Sequence, residues 1–218
     1  VHGVNAVLEL PRFLHLAARA LFVAAALVVA SGAARAQTTT DTLAKHAILI
    51  EYSTGQVLFQ KDPDTLIPPA SMSKMMLLYI LFENLAEGKL TLDDTFPVSE
   101  KAWRMGGSKM FVEVGKRIAI RDLLRGIIVQ SGNDACIVVA EGLGGTESAF
   151  AQRMTERGRE LGLKNSTFMN SSGWPEDGHM MTARDLATLA MHIIHDFPQY
   201  YEIFSETSFT FNGIKQGN

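Results

Sequence analysis

The sequence predicts an α/β fold of the α+β kind, an antiparallel sheet with a helical subdomain inserted between its strands. Three observations carry this. β-rich runs stand early, at 47–52 and 57–59, and again late, at Phe209-Thr210-Phe211. Between them lie several stretches with helical punctuation, including Thr146 and Thr182 as N-cap signals. One stretch, Met75 to Phe82, is apolar on every side, the mark of a buried central helix. Strands, then helices, then strands again suggest a helical insertion within one sheet.

Composition bounds the function. Hydrophobic residues make up 47% of the 218 positions and charged residues 20%, as in an ordinary globular chain. The net charge of −3, without a Lys/Arg cluster, gives no footprint for a nucleic-acid partner. Cys136 is the only cysteine, which excludes an internal disulfide, and its apolar neighbours mark it as a buried small hydrophobe. His192 and His195 lie three apart on one predicted helix, but no third ligand lies nearby, so no metal is expected.

Residues 1–36 have the form of an export signal. Arg12 and Arg19 flank its start, Ala20 to Ala30 form the apolar core, and Ala34-Arg35-Ala36 fits a small-x-small cleavage site. The mature protein, from 37 on, is expected to work outside the cytoplasm. The runs at 47–52 and 57–59, separated by Ser53-Thr54-Gly55-Gln56, read as a hairpin. Pro68-Pro69 leads into a helix from about Ala70 or Ser71, punctuated by Gly88-Lys89. Residues 91–120 read as short strands and loops, with a Gly-rich bend at Met105-Gly106-Gly107-Ser108-Lys109 that lacks the spacing of a phosphate loop. Helices are then expected over 121–129, 134–143, 146–161 and 182–195, the last opened by Thr182-Ala183-Arg184-Asp185 in the form of a capping box.

Chemistry enters at Ser71-Met72-Ser73-Lys74. Residues three apart share a helix face, so the Lys74 amine can reach the Ser71 hydroxyl while Ser73 points elsewhere. A serine becomes a good nucleophile when a neighbouring base takes its proton. Burial of Lys74 against the following apolar helix would lower its pKa and make it that base. The motif alone equally fits a helix cap followed by a solvated lysine. A second cluster, Ser131-Gly132-Asn133, sits between two predicted helices. Its hydroxyl and carboxamide suit proton relay and a grip on a substrate amide, and the tripeptide equally fits a capping turn.

The two motifs in this order resemble the penicillin-binding and serine β-lactamase superfamily. Pro69 to Lys74, Ser108 to Val112, Ile127 to Cys136, Thr167 to Asn170, Thr182 to Asp185 and Phe209 to Ile214 narrow the resemblance to the low-molecular-mass D-alanyl-D-alanine carboxypeptidases, peptidase family S11, over nearly all of 41–218. The resemblance implies a serine β-lactamase/transpeptidase-like fold, with 37–218 as the catalytic domain. It implies that Ser71 attacks the bond between the last two D-alanines of a peptidoglycan stem peptide and forms an acyl-enzyme. Lys74 would accept the proton, Ser131 would pass one to the leaving D-alanine, and Asn133 would bind the substrate backbone. β-Lactams would acylate Ser71 as substrate mimics. Neither metal nor organic cofactor is implied, and the enzyme would serve cell-wall trimming and cell shape at the periplasmic, outer face of the cytoplasmic membrane.

Two departures stand out. The family's third motif, Lys-Thr-Gly or Lys-Ser-Gly, is absent, and Lys215-Gln216-Gly217 follows Asn212-Gly213-Ile214 too closely to replace it. The chain is therefore expected to stop short of the strand that walls the site. As a 218-residue product it is expected to be inactive and prone to aggregate, because its first hairpin would expose an edge. Any C-terminal domain, and the peripheral inner-membrane association it would bring, would lie beyond Asn218. Leu77 stands where the family usually has Thr, a packing change. Two other readings compete. A serine β-lactamase would carry a Glu-x-x-Leu-Asn loop, which does not occur after Asn133. A non-catalytic penicillin- or peptidoglycan-binding protein would lack Ser71 or Lys74.

Overall fold

The computed structural model describes residues 42–218, so the export signal read over 1–36 lies outside the described residues. The chain enters through a hairpin, β1 (Ala47–Ile50) and β2 (Val57–Lys61). The Glu51 carboxylate ties its turn by accepting from the hydroxyls and amides of Thr54 and Ser53. These bonds, the Thr54 hydroxyl first, pull its pKa down to about 2. Leu49 and Leu58 on this hairpin stand 51% and 53% exposed.

A 3₁₀ turn over Ala70–Ser73 then runs into α1 (Lys74–Ala86). The predicted helix start thus takes the tighter form, which lets side chains three apart eclipse one another. Next come β3 (Thr95–Pro97), α2 (Glu100–Arg104) and β4 (Arg117–Ala119). The short helix α2 replaces loop in the sequence reading. Ser99 nucleates it, its hydroxyl accepting from Ala102 N–H at 3.1 Å. The remaining helices are α3 (Ile120–Ile128), α4 (Asn133–Gly144), α5 (Glu147–Glu160), α6 (Ala183–Asp196) and α7 (Pro198–Tyr201), followed by the hairpin β5 (Ser208–Phe211) and β6 (Ile214–Gly217).

Every residue from Met76 to Phe82 is buried, Leu77 completely, so α1 is the central helix the apolar run predicts. Helices α4, α5 and α6 pack around it. Cys136 on α4 is fully buried in the same core, and burial pushes its thiol up to about 12. At the far end of α1, the Arg157 guanidinium grips Glu83 at 2.6 and 2.9 Å and lies over the Tyr79 ring.

Thr182 caps α6 as expected, accepting from Asp185 N–H at 3.1 Å. The reciprocal half of the capping box does not form. The Asp185 carboxylate turns away and accepts from Asn165 N–H and Ser166 Oγ, both at 2.8 Å, and so satisfies the buried Ser166 hydroxyl. The sheet also differs from expectation. Three two-stranded antiparallel sheets form, β1–β2, β3–β4 and β5–β6, and no ladder joins them among the described residues. The first and last pairs close locally, β5–β6 through Asn212 and Gly213, whose φ values of 48° and 75° suit a primed hairpin turn, while β3 and β4 pair across α2.

Gly142 on α4 gives a stability test. A glycine in a helix interior usually gains about 1 kcal/mol on replacement by alanine. Here a Cβ would stand 2.4 Å from the Phe96 ring on β3, so the neighbouring ring would have to move. Gly142→Ala is expected to destabilise by about 1–3 kcal/mol, reversing the usual sign, as read from the urea midpoint.

Candidate active site

The 3₁₀ turn places Ser71 at the surface and Lys74 beneath it, with Lys74 Nζ 2.8 Å from Ser71 Oγ. Lys74 is only 4% exposed. Its amine makes a second bond, to the Ser172 carbonyl at 2.8 Å. Burial lowers its pKa from the ordinary lysine range, opposed by the nearby Cys136 sulfur. Ser73 turns back to donate to Ala70 O at 3.0 Å, as its place beside Lys74 predicts. The Ser71 N–H has no hydrogen-bond acceptor among the described residues and lies at the start of the helical turn, where a developing anion is favoured.

The Ser172 carbonyl is set by a compact loop. Asn170 Oδ1 accepts from the amides of Ser172, Gly173 and Trp174 at 3.2, 2.9 and 3.1 Å, an Asx-type knot. Gly173, at φ 79°, lies so close to the 3₁₀ turn that a Cβ would stand 1.9 Å from Ala70 O. From the other side, Glu147 Oε1 accepts from Ser171 N–H at 3.0 Å and Ser171 Oγ at 2.6 Å.

The second cluster forms an adjoining wall. Ser131 adopts φ 53°, and Asn133 is the first residue of α4, not part of the loop. Asn133 Nδ2 donates to Gly106 O at 3.0 Å, and its backbone N–H donates to Ser108 O at 2.8 Å, which leaves the carboxamide oxygen for a further donor. The Trp174 ring lies against Gly106 and Gly107 and thereby links this wall to the Ser172 loop. Ser71 and Lys74 are thus joined directly. Asn133 is tied to the neighbouring wall, and neither Ser131 nor Asn133 makes a hydrogen bond to Ser71 or Lys74 among the described residues.

Asp134 holds that wall. Its carboxylate is 1% exposed and accepts four amides, those of Met110 and Ala135 through Oδ1 and those of Phe111 and Val112 through Oδ2. Phe111 is thereby kept at φ 66°, unusual for so bulky a residue. Among the described residues no group of three His, Cys, Asp or Glu side chains could hold a metal ion. His192 instead contacts Asp196 and Leu161 O, while His195 contacts Asp196.

Residues 33–218 match the peptidase S11 family, described as D-alanyl-D-alanine carboxypeptidase. The chain belongs to that family. It is 41% identical over 151 residues to the D-alanyl-D-alanine carboxypeptidase DacF of Bacillus subtilis, a match covering 69% of this chain and 39% of that protein. To DacC of Escherichia coli it is 39% identical over 177 residues, covering 78% of this chain and 44% of the relative. The crystal structure of penicillin binding protein 5 from Haemophilus influenzae superposes with a TM-score of 0.80 at 38% identity, over 83% of this chain and 54% of that one. The chain therefore spans less than half the length of these two curated relatives.

For this carboxypeptidase-family chain, sequence reasoning picked out the four side chains above but assigned nothing to Ser172, Asn170, Asp134 or Glu147. The Asn-Ser-Ser-Gly string at 170–173 carried a turn signal that could have found the first two. Asp134, in the first turn of α4, resembles any acidic residue favoured there. Asp134→Ala would strand four amides, and it is expected to cost about 2–5 kcal/mol in denaturant unfolding, with Asp134→Asn losing less because one oxygen remains.

Proposed function

We propose that the protein carrying this chain is a serine-type D-alanyl-D-alanine carboxypeptidase that removes the terminal D-alanine from peptidoglycan stem pentapeptides. The observation that carries the reading is the buried Lys74 amine, 2.8 Å from the hydroxyl of exposed Ser71. An amine held neutral there takes the Ser71 proton as Oγ attacks the carbonyl between the two D-alanines. The tetrahedral oxyanion is stabilised by the Ser71 N–H at the helical turn. Ser131 passes a proton to the leaving D-alanine nitrogen, and the Asn133 carboxamide oxygen accepts from the substrate backbone. Collapse releases D-alanine and leaves an ester on Ser71, which water hydrolyses to the trimmed peptide and free enzyme.

β-Lactams fit the same scheme, since the strained amide is opened by Ser71 and the acyl group remains attached. The apolar core at Ala20–Ala30 and the Ala34-Arg35-Ala36 site support export, with 37–218 as catalytic domain and action at the periplasmic face of the cytoplasmic membrane. Peripheral membrane association, a role in cell shape and the wall trimming itself belong to the same reading.

Two outcomes are expected of the full-length protein. Benzylpenicillin should give a persistent one-to-one adduct in intact mass, mapped to Ser71 and absent in Ser71→Ala. Rapid loss of the adduct with penicillin consumed would favour a serine β-lactamase, and no adduct would favour a non-catalytic binding protein. The acylation rate should also depend on pH in a stated sense. The neutral amine is the base and exists above its pKa, which burial has lowered. The rate should therefore rise with pH through a midpoint below the ordinary lysine range, as measured by stopped-flow acylation.

A further inference from the structure

We infer that Glu147 is a positioning residue for the Lys74 amine, acting through Ser171, the residue before the one whose carbonyl holds that amine. The inference rests on the roles proposed above for Ser71 and Lys74. Glu147 is the first residue of α5, yet it does not cap the helix, because Thr146 Oγ1 already accepts from Ala149 N–H at 3.1 Å. The carboxylate reaches out of the helix instead. Oε1 accepts from both Ser171 donors, and Oε2 pairs with Lys101 on α2 at 2.7 Å. Glu147 is 8% exposed, and burial would push its carboxyl up. Lys101 and the Ser171 hydroxyl and amide outweigh that and hold it below the usual range, so it stays ionised at neutral pH.

The placement is specific to one atom. Asn170 Oδ1 takes the amides of Ser172 to Trp174 and, through the Gly173 N–H, sets the plane of the peptide that carries the Ser172 carbonyl. Where that peptide stands relative to the amine follows from the two ends of the short segment. Glu147 fixes it at Ser171, and the close approach of Gly173 to Ala70 O fixes it two residues later. Glu147 reaches Lys74 through these bonds, while burial lowers the Lys74 pKa and the nearby Cys136 opposes it. The titratable groups facing the buried Cys136 thiol beside Lys74 are Lys74 itself, Asp134 and Glu147.

The test measures benzylpenicillin acylation of the full-length protein, separating the initial Kd from the acylation rate constant. Glu147→Ala is expected to lower the rate constant about tenfold to a hundredfold with little change in Kd. It should also move the acid limb to lower pH, because the ammonium loses an acceptor that favours its charged form. A merely weakened fold would scale the rate at every pH and leave the midpoint in place. Glu147→Gln, whose amide oxygen still accepts from Ser171, should recover most of the rate. If Glu147→Ala does not unfold cooperatively, Ser171→Ala removes one of the two bonds and should give a smaller fall with the same direction of pH shift. Wild-type rate and an unshifted limb in whichever variant folds would overturn the role of Glu147. A wild-type protein that forms no adduct would overturn the reading of Ser71 and Lys74 instead.

Discussion

An ammonium carried into a protein interior gives up several kcal/mol of hydration unless opposite charge replaces it. Lys74 is buried with a hydroxyl and a carbonyl as its hydrogen-bond partners, and no ion pair to it forms among the described residues. The cheapest response is to shed the proton, which is the state a general base requires. Everything near the site serves that burial. The apolar face of α1 seals it from below, Cys136 supplies a weakly polar neighbour, and the loop carrying Ser172 closes over it.

Backbone strain gathers at the same place. Of the five non-glycine residues at positive φ among the described residues, Ala70 opens the turn that carries Ser71, Phe111 is bonded to Asp134, and Ser131 lies two residues before Asn133. Such conformations cost about 1–3 kcal/mol each and persist only where the surroundings over-determine them. Each strained segment here has a visible keeper. Asp134 holds Phe111 through its amide, Gly173 presses against Ala70, and the Gly132 N–H bonded to Gly126 O at 2.9 Å anchors the residue after Ser131. Rigidity is thus concentrated where atoms must stay aligned.

The legible parts of this fold were the local ones. Pro68-Pro69 before an apolar run marked the central helix, and Thr146 and Thr182 marked helix starts, because caps and periodicity act within one or two turns. The Ser71–Lys74 pair was legible for the same reason. What stayed hidden was long-range. Asp185 abandoned its capping box for a partner 19 residues away, and Glu147 found Ser171 across 24. The single sheet expected from strands near both ends of the chain was likewise a statement about distant pairing, and the described residues form three separate two-stranded sheets instead.

The bond from Lys74 to Ser172 spans 98 residues, whereas the bond from Lys74 to Ser71 spans three. The proposed nucleophile and base are therefore neighbours from the moment the turn at Ala70–Ser73 forms, on the timescale of local helix nucleation. Their chemistry is not available that early. Until the chain has collapsed and loop closure has brought Ser172 to the amine, Lys74 is hydrated, charged and no base. On the proposed roles, reactivity at Ser71 would be a late reporter of folding: a nascent or half-folded chain would carry the Ser71–Lys74 pair and remain chemically silent.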